Sequence, residues 1–332
     1  MCIRDRFSGA GGLDLGFHER GFPIQLAIDR MPDAVLTHRR NFPDTRSLVS
    51  DLVDLGPEGV VELLLEDLPI GSSVAVIGGP PCQGFSRANT QSDPLDPRNK
   101  LPALYLEIVE EMQTHFQVEF VLFENVMGIR DRKHTATFDG IVTKFSEIGL
   151  TPTVGSYSAL DFGVAQRRNR VIISGFRSKQ AAAGFEPSKK NSKNLTVKAT
   201  IGDLPDPAFF ERGLDRAMIP HHPNHWTMQP VSKRFKNPGD WKDGGRSFRR
   251  LKWEEPSPTV AYGNREIHVH PNGTRRLSIY EAMKLQGFPD SFVLEGTLSS
   301  QVEQISNAVP PPLANALAAA VIAALENSGA DA

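Results

Sequence analysis

The chain has 332 residues, 39% hydrophobic and 23% charged, with a formal net charge of −2, an ordinary composition for a globular protein with a large core or two unequal domains. No apolar run reaches the roughly 18 residues of a membrane span, and the first residues lack the apolar segment of a signal peptide. Only two cysteines occur, which excludes a disulfide framework and indicates a reducing cytoplasm.

The first half of the chain alternates short apolar runs with helical patterns. The apolar runs predict strands at residues 26–29, 74–77, 120–123 and 171–174. The periodic stretches between them predict helices at 57–67, 101–116 and 137–148. Strands separated by helices indicate an α/β fold with a mostly parallel sheet, which binds ligands at the carboxyl ends of its strands.

The pattern changes after Arg177. Residues 178–258 are rich in Pro, Gly, Asn, Lys and His, which indicates a separate, loop-rich domain. Between Arg177 and Trp253 stand 16 Lys and Arg against 7 Asp and Glu, a balance typical of a module that binds a polyanion but equally of a solvated surface. Helical patterns return at 278–286 and 313–325, the second opened by three prolines.

Residues 7–17 form a glycine-rich turn that leads into a predicted helix. Glycines allow a sharp turn and a close approach of a ligand, although a tight turn without a ligand would show the same residues. Asp29 follows an apolar run about 20 residues later, the spacing of an acid that accepts ribose hydroxyls. Asp51 and Leu52 form a second pair that could meet an adenine.

Cys82 follows a predicted strand in the segment Gly-Gly-Pro-Pro-Cys-Gln-Gly-Phe-Ser at 78–86. Rigid prolines before it and glycine after it suit a nucleophile, whose reactive form is the thiolate. Because free cysteines are often buried, an inert cysteine is the alternative.

Glu124 ends another predicted strand, where a carboxyl group can act as a general acid. Alternation along 166–170 places Gln166, Arg168 and Arg170 on one face, which suits an anion or a carbonyl-rich base.

These stretches together resemble the DNA cytosine carbon-5 methyltransferase family over nearly the whole chain and in the family's order. The matching segments are 7–12, 80–83, 124–126, 166–170, 276–289 and 304–310. The resemblance implies a Rossmann-like methyltransferase sheet with helices on both faces, a smaller target-recognition domain, and S-adenosylmethionine as cofactor without a metal. It assigns cofactor contacts to Phe7, Ser8, Gly9, Gly11, Gly12, Leu13, Asp29, Arg30, Asp51, Leu52, Pro80, Asn307 and Val309.

The resemblance also implies a mechanism. Cys82 adds to carbon 6 of cytosine, Glu124 protonates or hydrogen-bonds ring nitrogen 3, and Arg168 and Arg170 hold the carbonyl oxygen of the base. A base inside a duplex is inaccessible, so the target cytosine is flipped out. The resemblance implies DNA contacts for Gln83, Ser86, Arg87, Arg98, Gln166, Lys233, Arg234, Arg249 and Arg250.

We expect residues 1–178 and 303–332 to bind the cofactor and carry the chemistry, and residues 179–302 to read DNA. We expect a monomeric, cytoplasmic prokaryotic protein that associates with the nucleoid through duplex DNA and has no contact with membranes. A cognate restriction endonuclease that acts separately would be its partner. His221, His222 and His225 lie close together, and without cysteine ligands we predict no metal site there.

The start of the chain departs from the family pattern. Ile3 and Asp5 fit an apolar central strand before the glycine loop, but Arg4 and Arg6 do not, because an unpaired buried Arg is costly. We therefore interpret residues 1–6 as a truncated or aberrant start.

Three alternatives stay open. An RNA cytosine methyltransferase shares this scaffold, although the Cys-Phe-Thr signature of the tRNA-methylating branch does not occur in the variable region. A DNA-binding relative without activity would follow if the first strand were defective. A nicotinamide-dependent oxidoreductase fits the glycine turn but leaves Cys82 and the basic region unexplained.

Overall fold

The computed structural model describes residues 2–80, 100–190, 192–237, 248–262 and 266–329. The chain divides into two compact units. The first comprises Met1–Tyr157, Asn169–Lys189 and Leu313–Ala332, and the second Ser158–Arg168 and Lys190–Pro312. Compared with the division expected from sequence, residues 158–168 and 303–312 group with the second unit, and residues 179–189 with the first.

The described strands are short in the second half of the chain and longer in the first. In chain order they are β1 (Cys2–Arg6), β2 (Ile24–Asp29), β3 (Arg46–Val49), β4 (Ser73–Gly78), β5 (Gln117–Val126), β6 (Thr151–Ser158), β7 (Gln166–Arg167), β8 (Asn169–Phe176), β9 (Ala208–Phe209), β10 (Trp226–Thr227), β11 (Ser257–Pro258), β12 (Ala261–Tyr262) and β13 (Glu266–Ile267).

Seven of these strands form one sheet in the order β3-β2-β1-β4-β5-β8-β6. The pairs from β3 through β5 are parallel, and β8 runs antiparallel to β5. The four strands predicted from apolar runs are all present in it, which confirms the α/β class with a mostly parallel sheet. Its parallel strands place their carboxyl ends at one edge, where the glycine-rich turn follows β1 and Glu124 lies near the end of β5.

Helices connect the strands and continue into the second unit. They are α1 (Gly12–His18), α2 (Pro32–Asn41), α3 (Leu52–Leu65), α4 (Leu101–Gln113), α5 (Thr135–Glu147), α6 (Lys179–Gly184), α7 (Val197–Ile201), α8 (Ile279–Leu285), α9 (Leu298–Asn307) and α10 (Pro311–Asn327). Short 3-10 turns occur at Met127–Arg130, Arg132–His134, Ala159–Phe162, Arg216–Met218 and Lys233–Lys236.

The predicted helices are confirmed, but α3 begins earlier than its periodicity indicated. The helix begins at Leu52, and Asp51 is its N-cap, because Asp51 Oδ1 accepts a hydrogen bond from Val53 N at 2.9 Å. Gly56 then adopts φ 66°, which bends the helix just before Pro57. The predicted and observed starts therefore lie on the two sides of this bend.

Both faces of the sheet are covered. On one face Val76, Val121 and Ile173 join a core with residues of α3, α4 and α5. The alternate residues point the other way, where Phe120 lies with its ring centroid 6.1 Å from that of Phe17 in α1. Helix α10 also packs against α1, because a Cβ on Gly16 would approach Ala314 Cβ to 2.4 Å.

Strand β1 lies in the centre of the sheet even though its sequence departs from an apolar strand. It pairs with β2 on one side and β4 on the other. Arg4 is in register with Leu26 and Val76, which are 3% and 0% exposed. The strand therefore forms, with a cationic residue at a position whose two neighbours are apolar and buried.

The second unit is built from short elements, as its Pro and Gly content predicted. Its strands pair only in twos: β9 with β10, β7 with β11, and β12 with β13. Its most regular part is α8, which starts with a capping box formed by Ser278 and Glu281. Arg275 holds Glu281 with two hydrogen bonds of 2.8 Å, so the helix start is fixed by a buried ion pair.

Among the described residues one run, Leu298–Asn327, is long and apolar enough to cross a membrane by length and composition alone. It includes α9 and α10, and three prolines at 310–312 stand at the start of α10. Of the 18-residue stretch with the highest mean hydropathy in this run, 67% is buried inside the protein, as is typical of a core helix.

Candidate active site

The turn between β1 and α1 has the backbone shape that its glycines predicted. Phe7, Gly9 and Gly11 all have positive φ, at 63°, 54° and 85°. The backbone N–H groups of Phe7 and Ser8 both donate to Ile28 O, at 3.1 and 3.3 Å. These bonds tie the loop to the carboxyl end of β2. Gly12 and Leu13 follow as the first residues of α1, and both are buried.

Asp29 stands next to this loop, as the spacing predicted. Its Oδ2 accepts a hydrogen bond from Gly9 N at 2.9 Å, and its Oδ1 accepts one from Met31 N at 2.8 Å. Burial raises the pKa of Asp29 above its ordinary value, and the two N–H donors oppose that rise. Each carboxylate oxygen can accept a second hydrogen bond, so Asp29 fits a ligand with hydroxyl groups. Arg30 beside it is exposed.

The pair Asp51–Leu52 follows β3, which lies next to β2 in the sheet, so the pair is at the same carboxyl edge as Asp29. Ser50 N donates to Asp29 O at 3.1 Å, which places this segment next to Asp29. The Leu52 side chain is only 2% exposed and belongs to the core. Its side chain therefore packs with the buried residues of α3, and the contact predicted for this residue stays a prediction.

Glu124 is held at the carboxyl end of β5. Its Oε1 lies 2.5 Å from Arg170 Nε on the neighbouring strand β8, and both side chains are 10% exposed. Arg170 also donates from Nη1 to Asn169 O at 2.9 Å. A Cβ on Gly79 would lie 2.7 Å from Glu124 Oε2. A glycine at position 79 thus leaves room for the carboxylate, a requirement that the sequence alone did not reveal.

Asn125 connects the same site to the segment that leads to the cysteine. Its Nδ2 donates to Pro80 O at 3.3 Å, and Pro80 is buried. This bond holds the chain after β4 next to the end of β5. Five predicted residues lie outside the described residues: Cys82, Gln83, Ser86, Arg87 and Arg98.

Arg168 belongs to the second unit, where it holds the end of α9. It is 1% exposed, and its Nη2 donates to Ser306 O at 2.7 Å. Gln286 also holds the end of α9, because its Nε2 donates to Ile305 O at 3.1 Å and to Ala308 O at 2.8 Å. The two side chains fix the end of α9 and the turn after it. Asn307, the last residue of the helix, is exposed, and Val309 in the turn is 5% exposed.

Gln166 is 0% exposed, and in the described part of the chain its Oε1 and Nε2 have no hydrogen-bond partner. Buried amides are normally paired, so this residue is one that a ligand or substrate could satisfy. The role of Gln286 was not predicted, because its partners lie about 20 residues away and only the fold brings them together.

One predicted DNA contact of the second unit, Arg234, lies in a compact basic cluster with Arg276, which was not predicted. The Arg234 and Arg276 guanidinium carbons lie 4.8 and 4.9 Å from the ring centroid of Phe248. Lys233 and Arg249 are exposed. Two cations against one aromatic ring form a positive surface that attracts a polyanion. Arg250, which is half-buried, continues the chain from Arg249.

The histidines of the second unit bond within the fold. His222 Nε2 lies 3.2 Å from Phe292 O, and His225 lies 2.9 Å from Ser278 Oγ and 2.7 Å from Pro205 O. Burial lowers the pKa of His222 to about 4. Within the ranges that the structure describes, no three His, Cys, Asp or Glu residues are grouped to hold a metal.

Comparison with known proteins gives a consistent result. A family described as C-5 cytosine-specific DNA methylase matches residues 1–323. The chain is 34% identical to Type II methyltransferase M1.HphI of Haemophilus parahaemolyticus, with 96% of this chain and 86% of that protein covered. It is 32% identical to Type II methyltransferase M.MthTI of Methanothermobacter thermautotrophicus, with 96% of each covered.

Solved structures show the same fold. A crystal structure of a protein encoded within an E. coli prophage, described as a DNA modification methyltransferase, superposes with a TM-score of 0.77 at 25% identity and covers 98% of this chain and 99% of that one. The S. pombe Dnmt2 methyltransferase superposes with a TM-score of 0.63 at 16% identity, with 98% and 97% of the two chains covered. The chain belongs to the C-5 cytosine-specific DNA methylase family and is a DNA cytosine-5-methyltransferase.

Proposed function

We propose that this enzyme transfers a methyl group from S-adenosylmethionine to carbon 5 of a flipped-out cytosine in a specific duplex DNA sequence, through a covalent Cys82 adduct. We propose further that it is the modification enzyme of a restriction-modification system, with a separately acting endonuclease as its counterpart. The observation that carries the chemical proposal is the ion pair between Glu124 and Arg170 beside Gly79, which presents a buried carboxyl group at the carboxyl edge of the sheet.

The loop after β1 fits the proposed cofactor. Ser8 Oγ is buried and, among the described residues, has no hydrogen-bond partner. A Cβ on Gly9 would meet nothing within 4 Å, so the loop borders open space. Asp29 adds acceptor capacity for ribose hydroxyls. These donors and acceptors suit a ligand that carries both an amino acid and a nucleoside, and the cofactor supplies an electrophilic methyl group.

The residues of the chain would prepare the base for that methyl group. The Cys82 thiolate adds to carbon 6, while Glu124 donates a proton to ring nitrogen 3, so that the electron pair moves to carbon 5. Arg170 orients the Glu124 carboxyl and supports the carbonyl side of the base. After carbon 5 takes the methyl group, loss of its proton to a base forms the carbon 5–carbon 6 double bond and expels the thiolate. Ring nitrogen 3 returns its proton to Glu124, which restores the neutral ring and the carboxyl group.

The second unit would read DNA. Its basic cluster at Arg234, Phe248 and Arg276 supports contact with phosphates, which position a protein on the duplex. Arg168 would act by holding the turn that contains Asn307 and Val309, since its described hydrogen bond goes to Ser306 O. The names of the related Type II methyltransferases support duplex DNA as substrate and the restriction-modification setting.

The proposal is tested by incubating the enzyme with labelled S-adenosylmethionine and either duplex DNA or tRNA. We expect label only in DNA, at carbon 5 of cytosine in one sequence context. Cys82→Ser should abolish transfer and retain DNA binding, because it removes the nucleophile without removing phosphate contacts. Label in tRNA alone would favour the RNA alternative, and undiminished transfer by the Cys82 variant would refute the covalent mechanism.

A further inference from the structure

Three buried polar side chains of the first unit form a hydrogen-bonded chain that the proposed reaction does not use. His38, in the last turn of α2, has its Nε2 2.9 Å from Asp14 Oδ2 and its Nδ1 2.8 Å from Ser47 Oγ. Asp14 and His38 are 0% exposed, and Ser47 is 5% exposed. Polar groups at such depth are costly unless they are paired, so the three side chains depend on one another.

The combination of Ser, His and Asp is that of a nucleophilic triad, but burial excludes that role here. The Ser47 hydroxyl lies on β3 inside the fold, where a substrate carbonyl has no access. Ser47 Oγ also lies 3.4 Å from Thr45 O, within its own strand segment. The hydrogen bonds between these three side chains therefore hold α1, α2 and β3 together.

One end of the chain supports the glycine loop. A Cβ on Gly11 would lie 3.0 Å from His38 Cδ2 and 2.6 Å from Phe42 Cε2, so the loop backbone rests directly on these two rings. The rings stack on each other with centroids 4.4 Å apart. Asp14 follows Gly11 in the first turn of α1. His38 therefore contacts the loop directly and holds the following helix through Asp14.

The other end of the chain supports the opposite side of the same site. Ser47 lies on β3 in register with Ala27 of β2. A few residues later this strand brings Ser50 N to Asp29 O. One imidazole thus connects the loop at residues 7–11 with the strand that leads to Asp51.

We propose that Asp14, His38 and Ser47 are positioning residues that hold the glycine loop in the shape that binds S-adenosylmethionine. The loop needs such support because three of its residues have positive φ, and one of them, Phe7, is not glycine. A preorganised loop binds its ligand without a further ordering cost. The three hydrogen-bonded side chains therefore affect the Kd for the cofactor more than the rate of methyl transfer. This inference rests on the proposed function, since it assumes that the loop binds this cofactor.

The experiment compares two substitutions of His38 that differ in which bond they retain. In His38→Gln the amide reaches the position of Nε2 and retains the bond to Asp14; in His38→Asn it reaches that of Nδ1 and loses it. We expect His38→Asn and Asp14→Asn to raise the Kd for S-adenosylmethionine about 10-fold or more, from the loss of a charge-assisted hydrogen bond, and His38→Gln by less than about 3-fold.

Calorimetry on the enzyme without DNA gives these affinities for the cofactor and for S-adenosylhomocysteine. We expect kcat at saturating cofactor and the Kd for duplex DNA to change by less than about 2-fold, because neither depends on loop preorganisation once cofactor is bound. Val60→Ala is the matched control. Val60 is buried in α3, and its truncation lowers stability without changing the hydrogen bonds of Asp14, His38 and Ser47.

The outcomes separate the two proposals. If the wild-type enzyme binds no S-adenosylmethionine, the proposed function fails and the inference fails with it. If it binds, and His38→Asn binds as well as His38→Gln, the inference alone is overturned. It is also overturned if Val60→Ala weakens binding as much as His38→Asn at an equal loss of melting temperature. If Asp14→Asn does not fold, the two His38 variants decide the question.

Discussion

At the residue scale, the site depends on side chains for which the backbone leaves just enough room. Glu124 is the clearest case, because Arg170 holds one carboxylate oxygen and Gly79 leaves space for the other. Glu124 is buried at a strand end, so its orientation follows from these two neighbours and not from solvent. A change at either neighbour should therefore act on chemistry before it acts on stability.

Gly79→Ala tests this relation. The new Cβ would lie 2.7 Å from Glu124 Oε2, which forces the carboxylate to move. Under the proposed function, in which Glu124 is the general acid, we expect methyl transfer to fall by about 10-fold to 100-fold. The melting temperature should change little, because the displaced group is the end of a side chain. Single-turnover kinetics and thermal melts measure the two effects.

Gly140→Ala is the control for that variant. Gly140 lies exposed on α5, and a Cβ there meets nothing within 4 Å, so transfer should stay at the wild-type rate. Equal loss of activity in both variants would contradict the role given to Gly79.

At the element scale, β1 combines a central position with an unfavourable composition. A strand with parallel neighbours on both sides is normally apolar, and Arg4 is in register with buried Leu26 and Val76. The strand leads directly into the glycine-rich loop at residues 7–11. Its stability and the order of the loop should therefore change together.

Arg4→Val should stabilise the enzyme by about 1–3 kcal/mol, because an apolar β-branched residue suits a strand that pairs on both sides with apolar, buried neighbours. We expect a rise of several degrees in melting temperature and tighter binding of S-adenosylmethionine, measured by calorimetry. Arg132→Val, at an exposed position, should shift stability by less than about 0.5 kcal/mol. No gain from Arg4→Val would contradict the view that the composition of β1 is unfavourable for its position in the sheet.

At the scale of the whole molecule, buried histidines of the second unit make stability depend on pH. Burial lowers the pKa of His222 and of His268 to about 4. The unfolded chain therefore binds protons that the folded chain excludes between about pH 6.5 and 4, so the free energy of unfolding falls as pH falls through this range.

Urea unfolding at pH 7.5 and pH 5 measures this dependence. At 1.36 kcal/mol per pKa unit, each histidine contributes up to about 3 kcal/mol of the loss across the full range. His268→Gln should remove its share of this pH dependence. An unaltered dependence in His268→Gln would contradict this assignment.

The sequence by itself determined the α/β class, the positions of the main strands and helices, the glycine loop with Asp29, and the family to which the motifs belong. These features follow from periodicity and from turn residues, which act over a few neighbouring positions. The loop-rich character of the second unit was predictable for the same reason, since prolines and glycines interrupt regular structure locally.

Only the tertiary structure decided which side chains meet. The Leu52 side chain packs into the core, and Arg168 donates to Ser306 O, which lies 138 residues away. His38 joins Asp14 and Ser47 from three separate elements. Such contacts depend on which faces of distant elements pack together, and a local pattern of residues does not contain that information.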